Sequence, residues 1–555
     1  MTTDPSGRAT TTEPPGGPIA TEQPGGPMAT EPPGRASGLV RAGLLLSATF
    51  LVSRALGYVR TVVLGTTFGA GPELDDFFAA FRLPDLIFQV VAAGAMGSAL
   101  IPVLAGLLAE GQRAHAWRVV ATVANLLLAA LGTLAIVAFV AAPLLVRLLA
   151  PGFDDAGLAR TTDLTRIMLA APILLALGAV ATSTLNAESR FTAAALAPIV
   201  YNIGIIGGAV LLGPTMGVTG LAIGVVAGAL GHVAIQLPPL LGLGFRPVVR
   251  IDLRDAAARR VLALLAPRAL GLGASQFTFI VMTALASGLG AGAVSAYSIA
   301  FALLQIPVGL VGVPLGVVIF PSISREHALG AIESYVALVT RSVRLVVFAM
   351  VPIAAVGIAL RVPVVELLFG YGKFDAADID RTAATLASFL VGLPAHAAIA
   401  ILARAFYARQ DTRTPVAAAI LAVVVNTALG VLLVGPLGLP GLALAIAIAA
   451  WLEAAVLLVA LGRHVPTFEP RSIVRVLAES ILAGAIAAGV AIFVAGLLPS
   501  LLAAGSGKLL ILAGTSIATA VAGGAFLLVA LALRIPELPS IVGLVTDQIR
   551  RRRGS

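Results

Sequence analysis

The sequence predicts an all-α polytopic membrane protein of about fourteen transmembrane helices. They are expected as two pseudo-twofold six-helix lobes followed by two C-terminal helices. Three observations lead there. Of 555 residues, 59% are hydrophobic and only 11% charged, where soluble domains carry about 25% charge. Apolar stretches of about 20 residues, the length that crosses a bilayer, follow one another from residue 40 to residue 533. The series also repeats itself 221 residues later: Gly69-Ala70-Gly71 returns as Gly290-Ala291-Gly292. Gly217-Val-Thr-Gly220-Leu-Ala-Ile-Gly224 likewise returns as Gly438-Leu-Pro-Gly441-Leu-Ala-Leu-Ala445. Similar membrane lobes facing each other around a central space are a common plan for transporters.

Residues 1–37 stand apart. Thr12-Glu-Pro-Pro-Gly-Gly-Pro-Ile-Ala20 repeats as Thr21-Glu-Gln-Pro-Gly-Gly-Pro-Met-Ala29. Such a Pro/Gly tract cannot bury a core and is expected to be a disordered cytoplasmic tail. The spans then read as 40–64, 76–108, 117–146, 161–187, 192–213 and 217–243, an N-terminal lobe over 38–243. A basic linker, 244–257, separates it from a C-terminal lobe over 258–462, with spans 258–288, 293–322, 333–360, 380–408, 414–434 and 440–461. Two further spans, 473–498 and 508–533, fall in 463–535, and 536–555 is a basic tail. Six spans per repeat give both lobes one orientation, with the pseudo-twofold axis along the membrane normal.

Loop charge sets that orientation. Arg246, Arg250, Arg254, Arg259 and Arg260, then Arg404, Arg409 and Arg413, then Arg550 to Arg553, all fall on one side of this topology. The loops near 214–217, 289–292 and 435–440 carry no basic residue and fall on the other. The positive-inside bias places both termini in the cytoplasm. The net charge of +9 therefore orients spans; nucleic acid is not an expected partner.

Charges inside spans cost a few kcal/mol and usually face a cavity or a partner. Arg54 and Arg60 lie in span one, with Ser53 on the Arg60 face. Asp75 and Asp76 open span two, and Asp75, Arg82, Asp85 and Gln89 fall near one face of it. At the repeat offset Arg54 falls on Ser275 and Arg60 on Val281, while the stretch matching Arg82 and Asp85 is Leu303-Leu304-Gln305-Ile306-Pro307. Buried charge is thus one-sided. Guanidinium groups pair bidentately with phosphate and stay charged, so Arg54, Arg60 and Arg82 suit an anionic ligand. Plainer readings stand beside this one. Arg82 with Asp85 also reads as a self-neutralising i,i+3 ion pair. Asp75 and Asp76 read as an exposed helix N-terminus favoured by the dipole, and Arg60 as a snorkelling side chain. Arg166 and Arg268 read as packing or span-end charges. Glu453 and Glu479 are intramembrane candidates without assigned partners.

Several function classes are excluded or unsupported. Cysteine is absent, so there are no disulfides and no thiolate metal site. The five histidines have no metal-ligand spacing, no P-loop is present, and no soluble domain offers a catalytic grouping. No catalytic residue, metal or cofactor is therefore expected. Membrane potential or a coupling cation is left as the energy source. Each charge crossing 100 mV is worth about 2.3 kcal/mol, roughly twice that for two negative charges moving outward.

Val52-Ser53-Arg54-Ala-Leu-Gly57-Tyr-Val-Arg60, Phe68-Gly-Ala-Gly71, Asp75, Phe77-Phe78 and Phe81-Arg82-Leu83-Pro84 carry a family resemblance. So do Ala150-Pro-Gly-Phe153, Leu185-Asn186 through Arg190-Phe191, Leu368-Phe-Gly-Tyr-Gly-Lys-Phe374 and Phe406-Tyr-Ala-Arg-Gln-Asp411-Thr-Arg-Thr-Pro415. Over about residues 40 to 535 the chain resembles the MurJ/MviN family, bacterial lipid II flippases within a larger group of multidrug and oligosaccharidyl-lipid exporters. The resemblance implies a V-shaped, fourteen-helix transporter. It would move the undecaprenyl-pyrophosphate-linked cell-wall precursor to the outer leaflet of the bacterial plasma membrane by alternating access. The family's first-helix arginines match Arg54 and Arg60, and its acidic residue before the paired phenylalanines matches Asp75. The chain departs from the family at Phe88 and Gln89, where an arginine is frequent, and at Phe301, Ala302 and Gln305, where charges are frequent.

The expected activity is flipping of lipid II, with Arg54, Arg60, Arg82 and Ser53 binding substrate. Asp75, Asp76 and Asp85 would gate or couple an ion, with Asp75 pairing with one of the arginines on closure. Lipid II and the bilayer are the expected partners, joined by cell-wall synthesis proteins. The alternatives are export of another polyprenyl-linked glycan or of drugs, and a non-transporting cell-wall scaffold.

Overall fold

The computed structural model describes residues 33–91, 95–498 and 507–539, with side chains from residue 49 onward except at 90, 91, 95 and 266–275. Among these residues there is no β-strand. The first repeat holds α1 (Pro33–Phe68), α2 (Pro72–Val91), α3 (Ala95–Ala109), α4 (Arg113–Leu149), α5 (Asp155–Met168), α6 (Ala170–Ala187), α7 (Phe191–Gly207), α8 (Gly213–Met216), α9 (Val218–Ala234) and α10 (Leu237–Gly242). The second holds α11 (Ala256–Ser287), α12 (Ala293–Pro307), α13 (Val313–Ala328), α14 (Ile332–Ala359), α15 (Arg361–Phe369), α16 (Ala376–Leu390), α17 (Leu393–Ala408) and α18 (Arg413–His464). Then come α19 (Arg471–Leu497) and α20 (Lys508–Ala532). Single π-helical turns, Gly208–Leu212 and Val308–Gly312, join α7 to α8 and α12 to α13.

Nine of the described helical stretches are long and apolar enough to cross a membrane, ten if the pair α16 and α17, bent by 43°, counts as one span. At 52 residues, α18 would be about 78 Å long at 1.5 Å per residue, more than twice the hydrocarbon core. It breaks at Gly438, with φ 59° and ψ −137°. Gly217 holds φ 58° and ψ −143° between α8 and α9. The two glycines are one repeat apart, and both adopt a conformation that side chains disfavour, so the duplication is present in backbone angles as well as in letters.

One expectation needs correction. Helix α1 begins at Pro33, inside the stretch read as a 37-residue tail; proline is well placed at the first turn of a helix. The rest of that tail and residues 540–555 lie outside the described residues. The second span is described as α2 and α3, on either side of residues 92–94, which lie outside the described residues too.

Packing inverts the soluble pattern. On α4, Val140 is 74% exposed while Ala138 and Ala142 are buried; the apolar outer face suits lipid. Inside, small residues let helices touch. On the α7–α9 seam a Cβ at Gly224 would stand 2.7 Å from the Gly208 Cα, the close approach that small residues permit in membranes. Helix α11 serves both repeats. Ala258, Val261 and Leu265 pack with Met96, Val119 and Val123 of α3 and α4, while Met282 and Ala286 join the large core that both repeats share.

Candidate functional site

The two repeats meet along a seam that is clasped at the end carrying the α1–α2 and α11–α12 loops. Asp75, in the first turn of α2 and 2% exposed, reaches the N-terminus of α12. One carboxylate oxygen accepts the Gly292 N–H (2.6 Å); the other accepts the Ser295 N–H (2.7 Å) and hydroxyl (2.5 Å). Unpaired N–H groups at a helix start are natural partners for a carboxylate. The return bond comes from Asp378. In the α16 capping box it faces Asp375, and it also accepts the Ala70 N–H at 2.9 Å.

Further bonds repeat with the sequence. The Lys373 N–H donates to the Thr66 carbonyl (2.9 Å), and one repeat earlier the Gly152 N–H donates to the Ser287 hydroxyl (3.1 Å). Arg381 donates to the Ala291 carbonyl, while its counterpart Arg160 holds Asp76 at 2.7 Å within the first repeat. Asp76 also accepts from Thr161 at 3.3 Å. Symmetry fails at the arginines' partners and at the carboxylates. The counterpart of Asp75 is Ala296 and that of Asp378 is Gly157, so each repeat supplies one hook from a different place.

Deeper in the seam stands Arg82. Its Nε donates to the Thr283 hydroxyl (3.2 Å) and an Nη to the Ser298 hydroxyl (3.2 Å), and its guanidinium lies 5.3 Å from the centre of the Phe279 ring. Phe279 stacks edgewise on Phe301 (5.1 Å), which meets Phe389 (5.5 Å). The second repeat thus faces Arg82 with hydroxyls and aromatic rings. From α1, Tyr58 donates to the Gln305 carbonyl (3.3 Å). The Arg54 guanidinium lies 5.3 Å from the Phe50 ring centre and against Gly309 of the π turn, where a Cβ would collide with it.

Arg60 turns the other way. With Phe81, Pro84, Asp85, Phe88, Ala171, Pro172, Leu175 and Tyr201 it lines a cavity of about 170 Å³ inside the first repeat. Asp85 accepts a hydrogen bond from Gln89 and lies within electrostatic reach of both Arg60 and Arg82.

Several readings therefore change. Asp75 and Asp76 are buried, not an exposed helix start, because the second repeat and Arg160 cover them. Asp75 pairs with backbone and Ser295, not with an arginine. Arg82 bonds across the seam, not with Asp85, because the Thr283 and Ser298 hydroxyls stand opposite it. Arg60 faces an internal cavity instead of snorkelling. The arginines stand at two places: Arg60 and Arg82 flank Asp85, and Arg54 lies against the π turn. Ser53 is half-buried. Arg166 packs as expected, 3.6 Å from Asp163 and over the Phe139 ring. Glu479 pairs with Arg475 at 2.7 Å. The Arg268 and Ser275 side chains lie outside the described residues. The sequence reading missed Asp378, Ser295, Gly292, Arg381, Thr283 and Ser298. Only Arg381, one repeat from Arg160, and the Asp375–Asp378 cap carried a usable signal.

Tandem helical repeats, a seam clasped at one end and guanidinium groups set further along it define a membrane transporter of the two-bundle type. The comparisons with known proteins narrow this. A family profile described as "Lipid II flippase MurJ" matches residues 64–500. The lipid II flippase MurJ of Burkholderia cenocepacia is 33% identical over 436 residues, covering 77% of this chain and 84% of that protein. A probable lipid II flippase MurJ of Rhizobium tropici is 32% identical over 476 residues, covering 84% and 89%. The chain belongs to the MurJ family. Its fold is similar to a solved structure of "Lipid II flippase MurJ, inward closed conformation", with TM-score 0.73 at 22% identity over 88% of this chain and 99% of that one. An inward-facing MATE family transporter of the MOP superfamily also matches, with TM-score 0.65 at 18% identity over 77% and 98%.

Proposed function

We propose that this protein flips lipid II from the inner to the outer leaflet of the bacterial inner membrane by alternating access. The seam carries the reading. The hydrogen bonds that Asp75, Asp378, Arg82, Tyr58, Gly152 and Lys373 take part in between the first and second repeats lie at the clasped end or in the half of the seam beside it. Loop charge puts that end outside and both termini in the cytoplasm. The conformation is then closed outward, with the seam available from the cytoplasm.

In this reading Arg54 and Arg82 hold the pyrophosphate, with Ser53 beside them, and Arg60 joins them by turning from its cavity toward the seam. A phosphate oxygen replaces the hydroxyls of Thr283 and Ser298 on Arg82, exchanging neutral hydrogen bonds for charge-assisted ones. Asp85 keeps the two guanidinium groups apart and compensates them when no substrate is bound. Asp75, with Asp378 opposite, closes the outer end, and Asp76 holds the α2 start against α5 through Arg160. Loss of these bonds opens the outer end, and the membrane potential favours the outward step by about 2.3 kcal/mol per negative charge per 100 mV. The energy source is secondary, a gradient or potential, and cell-wall synthesis proteins are the natural neighbours. Counting α1, α2 with α3, α11 and both halves of α18 as spans gives the fourteen expected.

The test is a cell depending on this gene, with Arg54→Ala and Arg60→Ala together. Outer-leaflet lipid II should fall to background while the protein stays in the membrane. Undiminished outer-leaflet lipid II would refute the assignment. A second reading, export of another polyprenyl-linked glycan, is favoured by Phe301 in its aromatic cluster. Binding of lipid II against undecaprenyl-phosphate sugars separates the two.

A further inference from the structure

At the end opposite the clasp, the first three turns of α14, the α18–α19 loop and the segment after α20 enclose a cavity of about 560 Å³. Helix α14 has 28 residues, about 42 Å at 1.5 Å per residue, which matches a bilayer with its headgroup layers, about 40–45 Å. Its first turns therefore lie at headgroup depth. From them Glu333, Thr340, Arg341 and Arg344 line the cavity; Thr467, Glu469 and Ser472 face them, and Glu537 closes the wall.

These groups divide into committed and free. Arg344 is committed, with two guanidinium nitrogens 2.5 Å from one oxygen of Glu537. Glu537 is 4% exposed and its second oxygen has no hydrogen-bond partner among the described residues. That pair fixes the segment after α20 as a wall with unused acceptor capacity. The side chains of Arg341, Glu333 and Glu469 line the same space, and none of them makes a hydrogen bond or ion pair among the described residues.

One free guanidinium among hydroxyls suits a phosphate, while two free carboxylates suit an ammonium. A phosphate alone would be repelled by Glu333 and Glu469, and an amine alone by Arg341. A head group carrying both satisfies each, and Val336 and Ala337 leave an apolar strip along α14 for what is attached to it. We propose that this cavity binds a phosphoethanolamine group, its phosphate on Arg341 with Thr340 and Thr467, its ammonium on Glu469 and Glu333. Its depth assigns the ligand to a phospholipid of the inner leaflet. The site is separate from the seam and stands whether or not the chain transports lipid II.

The full chain is placed in nanodiscs of phosphatidylglycerol with or without phosphatidylethanolamine, and retained lipid is counted by native mass spectrometry as detergent is raised. Phosphatidylethanolamine should be retained about tenfold over phosphatidylglycerol, the scale of one charge-assisted contact. Arg341→Gln and Glu469→Gln, both exposed and so folding-neutral, should each erase that preference. Thermal stabilisation by soluble phosphoethanolamine, lost in both variants, supports the same chemistry with an aqueous source. Equal retention of the two lipids by the unaltered protein, a preference that survives both variants, or equal stabilisation by inorganic phosphate overturns the proposal.

Discussion

Replacing Gly292 by valine should open the clasped end. Gly292 sits at φ 82°, a left-handed conformation that costs a side-chain-bearing residue about 1–2 kcal/mol and a β-branched one more. A Cβ there would also collide with the Ala70 carbonyl and the Arg381 guanidinium. The loop must move, and the Gly292 N–H then leaves Asp75, losing a charge-assisted bond worth about 1.5–3 kcal/mol. Together the clasped state loses about 3–5 kcal/mol, a shift of at least 100-fold at 1.4 kcal/mol per factor of ten. The chain has no cysteine, so spin labels go on without removing anything. Labels at the exposed positions Glu73 and Ala377, one per repeat, report the separation across the clasp by double electron–electron resonance. The unaltered protein should give mainly a short distance; Gly292→Val should move most of the population to a longer one. Gly435→Ala is the control, because a Cβ there meets nothing within 4 Å. An unchanged distance distribution in a folded Gly292→Val protein would mean that Asp75 and the α12 N-terminus do not hold the repeats together.

Other outcomes follow from the same geometry. Arg82→Lys should not restore flipping lost in Arg82→Ala, because one ammonium cannot bond Thr283 and Ser298 while covering Phe279; reconstituted lipid II flipping should fall at least about tenfold in both. Gly224→Val should overpack the α7–α9 contact by about 1–3 kcal/mol and lower the unfolding temperature in detergent. Asp411, in the α17–α18 loop, is held below the usual carboxylate range chiefly by the Thr414 hydroxyl and N–H, helped by the Arg413 N–H. Its folded pKa is depressed, so its contribution is present above the ordinary aspartate value of about 4 and is lost as pH falls through the lower folded value. Asp411→Ala should thus destabilise at pH 7 and make progressively less difference toward about pH 2, read from melting curves across that range.

The fold was largely legible because membrane physics leaves few options. The spans and the 221-residue offset could be read from apolar runs and glycines, and the matched angles at Gly217 and Gly438 confirm the duplication. Arg82 could be picked out because a charge in a span needs a reason. Its partners could not, since Thr283 and Ser298 are ordinary in an apolar helix and lie some 200 residues away. Asp75 was visible, but its partners are backbone N–H groups, which no letter marks. Periodicity placed Arg82 and Asp85 on one helix face and so implied a mutual pair; only the coordinates show hydroxyls of another helix nearer to hand.

Because Asp75 and Asp378 hook onto main-chain amides, the catch and its keeper evolve under different rules. A single base change can delete either hook. No side-chain chemistry removes the keeper at Ala70 or Gly292, since every amino acid except proline brings the same N–H, and only bulk can spoil its position. After duplication the two hooks were therefore free to arise at unrelated sites, and variants that loosen the clasped end should gather at residues 75 and 378 and at small residues beside their targets.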